Sequence, residues 1–283
     1  MRTTTTTPHS TPPPQGGREQ AEQGAASPYD TLAPSFDRLR ALPEGVPQKV
    51  RAAVLAAIGS ASPRVLDVGA GTGRIGWPFV AAGDDYVGID LSVGMLHEFA
   101  SRNRTARLAQ ADAARLPFGD ASFDAVMLVH VFGGMRGWRG VLAEARRLLR
   151  PRGALMIGRV AAPANGLDAR MKQRLAELLA ERGRSVDSHN AREEVERSLD
   201  GIAGRRTLTV ASWITERTPQ HFIDRHRGGA RFAALPESVK EGSLAALADW
   251  AIATFGRLDT AVYEQHAFEL QIFTFPAQDT LHA

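Results

Sequence analysis

A short segment in the first third of the chain combines an acid with three glycines. The run VLDVGAGTGR spans residues 65–74. Its apolar residues predict a strand that is covered on both faces, and the glycines predict a sharp turn after it. Glycines at 69, 71 and 73 let the backbone lie against a ligand, because no Cβ stands in the way. The dinucleotide fingerprint GxGxxG needs glycine at 74, where this chain has Arg74. The spacing therefore favours a different adenosine-bearing cofactor.

Two further acids follow predicted strands. Asp90 ends the segment YVGID, and Asp112 follows the segment LAQA. The carboxyl ends of parallel strands form the edge at which open α/β sheets bind ligands. At that edge Asp90 can accept both hydroxyls of a ribose, and Asp112 can accept the amine of an adenine. Each acid alone is a weak signal, because acids at strand ends often cap helices. The ordered set predicts an adenosine site.

Strand and helix patterns alternate between residues 64 and 160 and would position these groups. The alternation predicts right-handed βαβ units and a parallel sheet. Pro78 lies too deep in the helix after the glycine turn, and we expect it to kink or shorten that helix. The predicted strands of this region are 64–68, 86–90, 107–111, 124–130 and 153–159.

The motifs resemble those of class I S-adenosylmethionine-dependent methyltransferases. VLDVGAGTGR is similar to the first motif of that family, GIDLS to the second, and ADAARLPF to the adenine motif. FDAV followed by LRPRG is similar to the family's later "FD-V" and "L-PGG" segments. Within the family, the chain looks like small-molecule methyltransferases related to the ubiquinone and menaquinone C-methyltransferases. The resemblance implies S-adenosyl-L-methionine as cofactor and in-line displacement of its methyl group to an O, N or C atom of a small acceptor.

The resemblance also implies an α/β fold and a division of the chain. We expect a Rossmann-like, seven-stranded, mostly parallel sheet with helices on both faces and a helical cap after strand five. Residues 1–27, rich in Thr, Pro and Gly, are predicted to be a disordered tail. Residues 28–160 would form the cofactor-binding core with an N-terminal lid helix. Residues 161–206 would form the cap, and 207–283 the strands and helices that complete the sheet.

By the same resemblance, ten residues contact the cofactor. The three glycines approach the methionine moiety above Asp67, Asp90 holds the ribose, and Leu91 packs on the adenine. Arg38 or Arg40 of the lid would reach the carboxylate, although Tyr29 and Phe36 equally fit a plain core. The ten are Tyr29, Asp67, Gly69, Gly71, Gly73, Asp90, Leu91, Asp112, Ala113 and Val129.

His130 is the candidate catalytic residue. It follows the fourth predicted strand, near the place of a methyl acceptor, and an alcohol or carbon acid needs a general base at neutral pH. A histidine that only shapes the pocket is the alternative. The family's frequent pair of histidines after this strand is replaced by Gly133-Gly134, so a catalytic scheme cannot simply be transferred.

Composition narrows the function further. The chain of 283 residues has no cysteine, which excludes disulfides and thiolate metal sites. We expect no metal site, because His221 and His226 are five residues apart and no acid completes a set. No apolar run has the length of a membrane span, and the N-terminal threonines and prolines do not form a signal core, so the cytoplasm is expected.

Two alternatives to a small-molecule methyltransferase stay open. The net charge is +3 and the arginines alternate with acids, so nucleic acid is not an expected partner. An RNA or protein methyltransferase is nevertheless one alternative, and a catalytically silent cofactor-binding protein is the other. The expected assembly is a monomer or a homodimer.

Overall fold

The computed structural model describes residues 29–30, 33–60, 62–133, 135, 137–184, 191–227, 232 and 235–276. The predicted disordered tail therefore lies outside the described residues. The strands are β1 Arg64–Val68, β2 Asp85–Asp90, β3 Arg107–Gln110, β4 Phe123–Val129, β5 Leu149–Ala161, β6 Gly204–Arg217 and β7 Val262–Thr274. The helices are α1 Ala33–Arg40, α2 Val46–Ile58, α3 Trp77–Ala82, α4 Val93–Arg102, α5 Trp138–Leu148, α6 Leu167–Ala180, α7 Arg192–Leu199, α8 Pro219–Arg227 and α9 Glu237–Phe255.

The seven strands form one sheet in the order β3-β2-β1-β4-β5-β7-β6. The first five strands in this order are parallel, and β7 is antiparallel to both of its neighbours. This confirms the predicted Rossmann-like, mostly parallel sheet. The chain reverses strand order at β1 and β4, so the carboxyl ends of these two strands flank the crevice in which such sheets bind ligands.

Helices cover both faces of the sheet with separate apolar clusters. On one face, Val50 of α2 and Phe79 of α3 pack with Phe268 of β7. On the other face, Trp138 of α5 and Val195 of α7 pack against the central strands. Strands buried on both faces are the reason for the near-continuous apolar runs in the sequence.

A third apolar cluster forms the cap, and its helices differ from the predicted division. Helix α6 packs with α8 and α9 through a cluster of its own, which includes Met171, Phe222 and Leu247. Helix α7, predicted within the cap, instead packs on the sheet. The cap is thus built from two stretches of chain, one after β5 and one between β6 and β7. Sequence periodicity identified each helix but not which surface it covers.

The ends of β6 and β7 extend beyond the sheet and support the cap. β5 ends at Ala161, which pairs with Ala267, so residues 262–266 pair only with β6. On this two-stranded ribbon the buried carboxylate of Glu264 accepts a hydrogen bond of 2.5 Å from the Leu167 amide at the start of α6. The bond joins the cap to the sheet.

Pro78 does not lie deep within the helix after the glycine turn, as the sequence predicted, because that helix begins only at Trp77. Helix α3 has six residues, and Pro78 lies in its first turn. A proline is tolerated there, because the amides of a first turn have no partner within the helix. None of the helices in the described ranges is both long and apolar enough to cross a membrane.

Replacing Phe268 tests the packing of β7. The ring is fully buried between the sheet and α2, so Phe268→Ala should lower the free energy of unfolding by about 4 kcal/mol. Ile214→Ala on the neighbouring strand is the control, because this side chain is 64% exposed, and its effect should stay within about 0.5 kcal/mol. Urea denaturation measures both values, and equal losses would contradict the assigned packing.

Candidate active site

The glycine turn brings its backbone unusually close to its neighbours. Gly69, Gly71 and Gly73 have φ values of 79°, 57° and 84°, a region that glycine adopts without strain. A Cβ at Gly69 would lie 2.3 Å from Val131, and one at Gly73 would lie 2.3 Å from Phe99. A Cβ at Gly71 would meet no atom nearer than 4.0 Å. Space for a ligand therefore lies over Gly71.

The carboxylate of Asp90 holds this turn and the start of α4 together. One oxygen accepts a hydrogen bond from the Gly71 amide, and the other accepts one from the Ser92 amide, both at 2.9 Å. Burial raises the pKa of Asp90, while the hydrogen bonds that it accepts from backbone amides oppose that rise. A carboxylate has about four lone-pair positions, so Asp90 keeps capacity for the two hydroxyls of a ribose.

The adenine side of the predicted site is assembled next to Asp90. The Ala111 amide donates to the Asp90 carbonyl at 3.1 Å, which joins the ends of β2 and β3. Leu91 is 61% exposed and offers an apolar surface. Asp112 is exposed and accepts from the Ala114 amide at 2.9 Å, while Ala113 is half-buried between them.

Asp67 lies under the turn, away from solvent. Its carboxyl accepts a hydrogen bond of 2.7 Å from the Tyr86 hydroxyl, and its second oxygen has no partner among the described residues. Burial raises the pKa of Asp67 to about 7, and Asp90 adds to the rise, whereas the Tyr86 bond opposes it. Asp67 thus titrates near neutral pH.

Residues of the N-terminal segment contact the glycine turn and helix α4. Helix α1 contacts them through Asp37, which accepts from the Thr72 hydroxyl and from the Arg102 guanidinium. Arg74 donates to the carbonyl of Arg40. Before the helix, the partly exposed Tyr29 is followed by Asp30, which accepts from the Ser92 hydroxyl at 2.5 Å. Asp30 and helix α1 therefore lie against the segments that follow β1 and β2.

His130 stands at the carboxyl end of β4, after the buried Val129. Its φ of 58° is rare for a residue with a side chain, and its amide donates to the Gly158 carbonyl at 3.2 Å. The residue keeps an exposed surface. Loss of hydration in the surrounding protein lowers the pKa of His130 to about 4. The positive charges of Arg74, Arg40 and Arg159 add to this effect. His130 is neutral at pH 7 and a weak base.

His221 and His226 lie on helix α8 of the cap. Within the described ranges, no group of three His, Asp or Glu side chains could hold a metal ion. His226 stacks on Phe222 at 3.8 Å, and burial lowers its pKa to about 4. Phe222 and Phe232 are buried in the cap cluster.

These residues fit an adenosine with an amino-acid tail. Gly71 leaves room above the backbone, Asp90 keeps acceptor capacity, Leu91 is an exposed apolar surface, and one oxygen of the buried Asp67 has no partner among the described residues. Such a site on a sheet of this strand order defines a class I S-adenosylmethionine-dependent methyltransferase.

Comparison with known proteins supports this class. Residues 66–157 match a family described as a methyltransferase domain. The chain is 31% identical over 225 residues to the demethylmenaquinone methyltransferase of Renibacterium salmoninarum, covering 78% of this chain and 94% of that protein. It is 35% identical over 200 residues to the demethylmenaquinone methyltransferase of Mycobacterium sp. strain KMS, covering 68% and 86%. The chain therefore belongs to the family of S-adenosylmethionine-dependent methyltransferases of small molecules.

Solved structures show the same fold. A putative methyltransferase from Bacillus halodurans has a TM-score of 0.54 and 16% identity, covering 83% of this chain and all of that one. The YcgJ protein from Bacillus subtilis has a TM-score of 0.52 and 20% identity, covering 80% and 97%. At these identities the likeness concerns the fold.

Three residues of the site were not predicted from the sequence. Arg159 and Asp30 lie outside any recognised motif, and only the fold brings them to the cleft. Arg74 was visible as the residue that breaks the dinucleotide fingerprint, but its contact with the lid was not. For Arg74, the sequence signal that could have indicated a role in the site is its position directly after the glycine turn.

Asp90 is the first residue to test. Asp90→Ala removes the proposed ribose acceptor and the partner of the Gly71 amide. Calorimetry should show that the affinity for S-adenosylhomocysteine falls about tenfold or more, since bonds to a charged acceptor are strong. Asp85→Ala, at the exposed opposite end of β2, should leave the affinity unchanged. Equal affinities for both variants would remove Asp90 from the site.

The pKa of Asp67 predicts a pH dependence of stability. The ordinary pKa of aspartate is about 4, so the folded protein holds one more proton than the unfolded chain between about pH 4 and pH 7. The free energy of unfolding should therefore fall as the pH rises through this range. Asp67→Asn keeps an acceptor for Tyr86 and should raise the melting temperature more at pH 8 than at pH 4. An equal shift at both values would contradict the raised pKa.

Proposed function

We propose that this enzyme transfers a methyl group to a ring carbon of a reduced quinone of the demethylmenaquinone type. The supporting observation is the match to a protein of that name over 225 residues and 94% of its length, which extends well beyond the cofactor-binding segment 66–157. A match that extends so far beyond the cofactor-binding segment favours a related acceptor. The match to the methyltransferase domain family, over residues 66–157 alone, would not favour one methyl acceptor over another.

We further propose how the chain holds the cofactor, which supplies a methyl group activated by a sulfonium when bound. The Gly71 backbone lies against the methionine moiety, and Asp90 accepts the ribose hydroxyls. Leu91 packs on the adenine, whose edge is held by Asp112 and the backbone of Ala113. The carbonyl of Val129 faces the amino group, and Tyr29 with α1 excludes water. The positive charges of Arg40 and Arg74, which flank the turn, balance the negative charge of the cofactor's carboxylate.

His130 is proposed to contact the acceptor. The residue has an exposed surface, and the hydrogen bond from its backbone amide to the Gly158 carbonyl fixes it at the end of β4. Because its pKa is lowered to about 4, the imidazole is uncharged at working pH and acts as a hydrogen-bond donor or acceptor. It removes a proton readily only from an acceptor that is already acidic. The role is therefore orientation of the ring before transfer.

Turnover with a defined acceptor tests the proposal. The protein is incubated anaerobically with S-adenosylmethionine and a short-chain demethylmenaquinol, and mass spectrometry should find one added methyl group on the ring. The oxidised quinone should give no product, because its ring carbon is electron-poor. Asp90→Ala should abolish turnover. Total RNA and casein with labelled cofactor serve as competing acceptors, and labelling of either without labelling of the quinol would overturn the proposal.

A further inference from the structure

Strand β6 lies at one edge of the sheet and is long for an edge strand. It spans 14 residues, from Gly204 to Arg217, and within the described ranges it pairs with a strand on one side only. β3, at the opposite edge, has four residues. Proteins commonly protect a sheet edge with a short strand, lysine or proline, because unpaired backbone groups can pair with another chain. Segment 204–217 contains neither lysine nor proline, so β6 offers an extended edge to a further strand.

A β-bulge divides β6 into two equal halves about Ala211. Thr209 and Ala211 pair with consecutive residues of β7, so residue 210 has no residue opposite it. Six paired residues of β6 precede Ala211, and six follow it. The extra residue also shifts the alternation of faces, which is why Leu208 and Trp213 pack on the same face of the sheet. β6 is thus symmetric about Ala211 in its length and in the face that each residue occupies.

The two halves of β6 carry complementary charges. If two copies of β6 run antiparallel about a two-fold axis through Ala211, each residue lies opposite the one at the same ladder distance on the other side of Ala211. Arg205 and Glu216 are each five ladder positions from Ala211, counted along β7. Arg205 would therefore lie opposite the partner's Glu216, and the symmetry forms this pair twice. Opposite charges on facing residues stabilise strand pairing.

The other pairs of this register also suit a strand interface. Leu208 and Trp213 are half-buried on the face that α2 covers, and each lies two ladder positions from Ala211, so they would meet across the axis. On the opposite face, Thr209 would lie opposite the partner's Ser212. At the axis a residue meets its own copy, and Ala211 is small and uncharged. In this register no two like charges lie directly opposite each other.

Existing contacts leave both members of the charged pair able to engage a partner. Arg205 lies 3.4 Å from Asp200, and Glu216 accepts a hydrogen bond of 3.4 Å from the Tyr263 hydroxyl. All four residues are exposed. Exposed contacts of this kind contribute little to stability. Neither contact therefore outweighs an ion pair that forms together with the hydrogen bonds of a strand interface.

Pairing of β6 would also support the cap. Residues 213–217 and 262–266 form a ribbon of only two strands beyond the end of β5, and Glu264 on this ribbon binds the start of α6. A two-stranded ribbon is marginally stable without a third strand or a covering element. In the register described, the partner's residues 204–208 lie beside residues 213–217. The second copy thus supplies the third strand at the place where the cap is attached.

We propose that two copies of this chain associate through β6, antiparallel about a two-fold axis at Ala211, and form one continuous sheet. The backbone groups of the two edges pair, and the Arg205–Glu216 and Leu208–Trp213 pairs fix the register. Because the axis is perpendicular to the sheet, the carboxyl ends of the parallel strands of the two copies point in opposite directions. The two candidate active sites then lie at opposite edges of the assembly. The association does not depend on the identity of the methyl acceptor.

Charge reversal tests the interface in the full-length protein. Sedimentation velocity at micromolar concentration should give twice the 30.5 kDa mass of one chain. Glu216→Arg places two arginines opposite each other at both ends of the interface, so the dimer should dissociate at a concentration about tenfold higher or more. Combining it with Arg205→Glu exchanges the two charges and should restore the dimer. Glu241→Arg, exposed on α9 and outside the edge, is the control and should leave the mass unchanged.

The rescue separates loss of the interface from loss of the fold. A variant that merely unfolds the chain would not regain the dimer when a second charge is reversed. A monomeric wild-type protein, a dimer that Glu216→Arg leaves intact, or a double variant that stays monomeric would each overturn the proposal.

A single introduced cysteine locates the two-fold axis. The chain has no cysteine of its own, so each variant reports one contact. Ala211→Cys should form an intermolecular disulfide on mild oxidation, because facing Cα atoms of antiparallel strands lie within about 5.5 Å. Thr207→Cys is the control, since it is exposed but lies six ladder positions, about 20 Å, from its own copy. No crosslink at position 211, or equal crosslinking at position 207, would overturn the proposal.

Discussion

The site depends on how closely the backbone of the glycine turn packs against helix α4 and the segment after β4. A single methyl group at position 69 or 73 would collide with Val131 or Phe99 at 2.3 Å, so both positions must be glycine. Because the turn packs this closely, the Gly71 amide reaches the carboxylate of Asp90 at the end of β2. That bond fixes the ribose acceptor relative to β1. The lid, the adenine surface and the end of β4 are all placed around this turn.

Charge is distributed unequally around the turn. On the β2 side, carboxyl groups are buried, and the pKa values of Asp67 and Asp90 are raised. On the β4 side, burial lowers the pKa of His130 first, and the charges of Arg74, Arg40 and Arg159 lower it further. Burial thus favours the neutral form of the titratable groups on both sides of the turn. A bound adenosine would meet the carboxyl acceptor of Asp90 at its hydroxyls and a neutral imidazole at the end of β4.

The sequence predicts the donor half of the molecule far better than the acceptor half. The five parallel strands and the positions of Gly69, Gly71, Asp90 and Asp112 at their ends follow from periodicity and short motifs, because each depends on local residues. The number of seven strands came from the family resemblance. The composition of the cap does not, since an amphipathic helix reveals that one face is buried but not what covers it. Helix α7 was assigned to the cap for this reason, and it packs on the sheet. Arg159 and Asp30 are neighbours of the site only through the fold.

The cap has a consequence for how such a chain can change over generations. Its apolar cluster has no member in common with the two clusters that hold the sheet. Its two chain segments enter on either side of β6, and Glu264 joins α6 to the ribbon. Substitutions inside the cap therefore change its own packing while Asp90 and the glycine turn stay in place. Selection can alter the cap separately from the sheet that carries the cofactor motifs, within a single polypeptide.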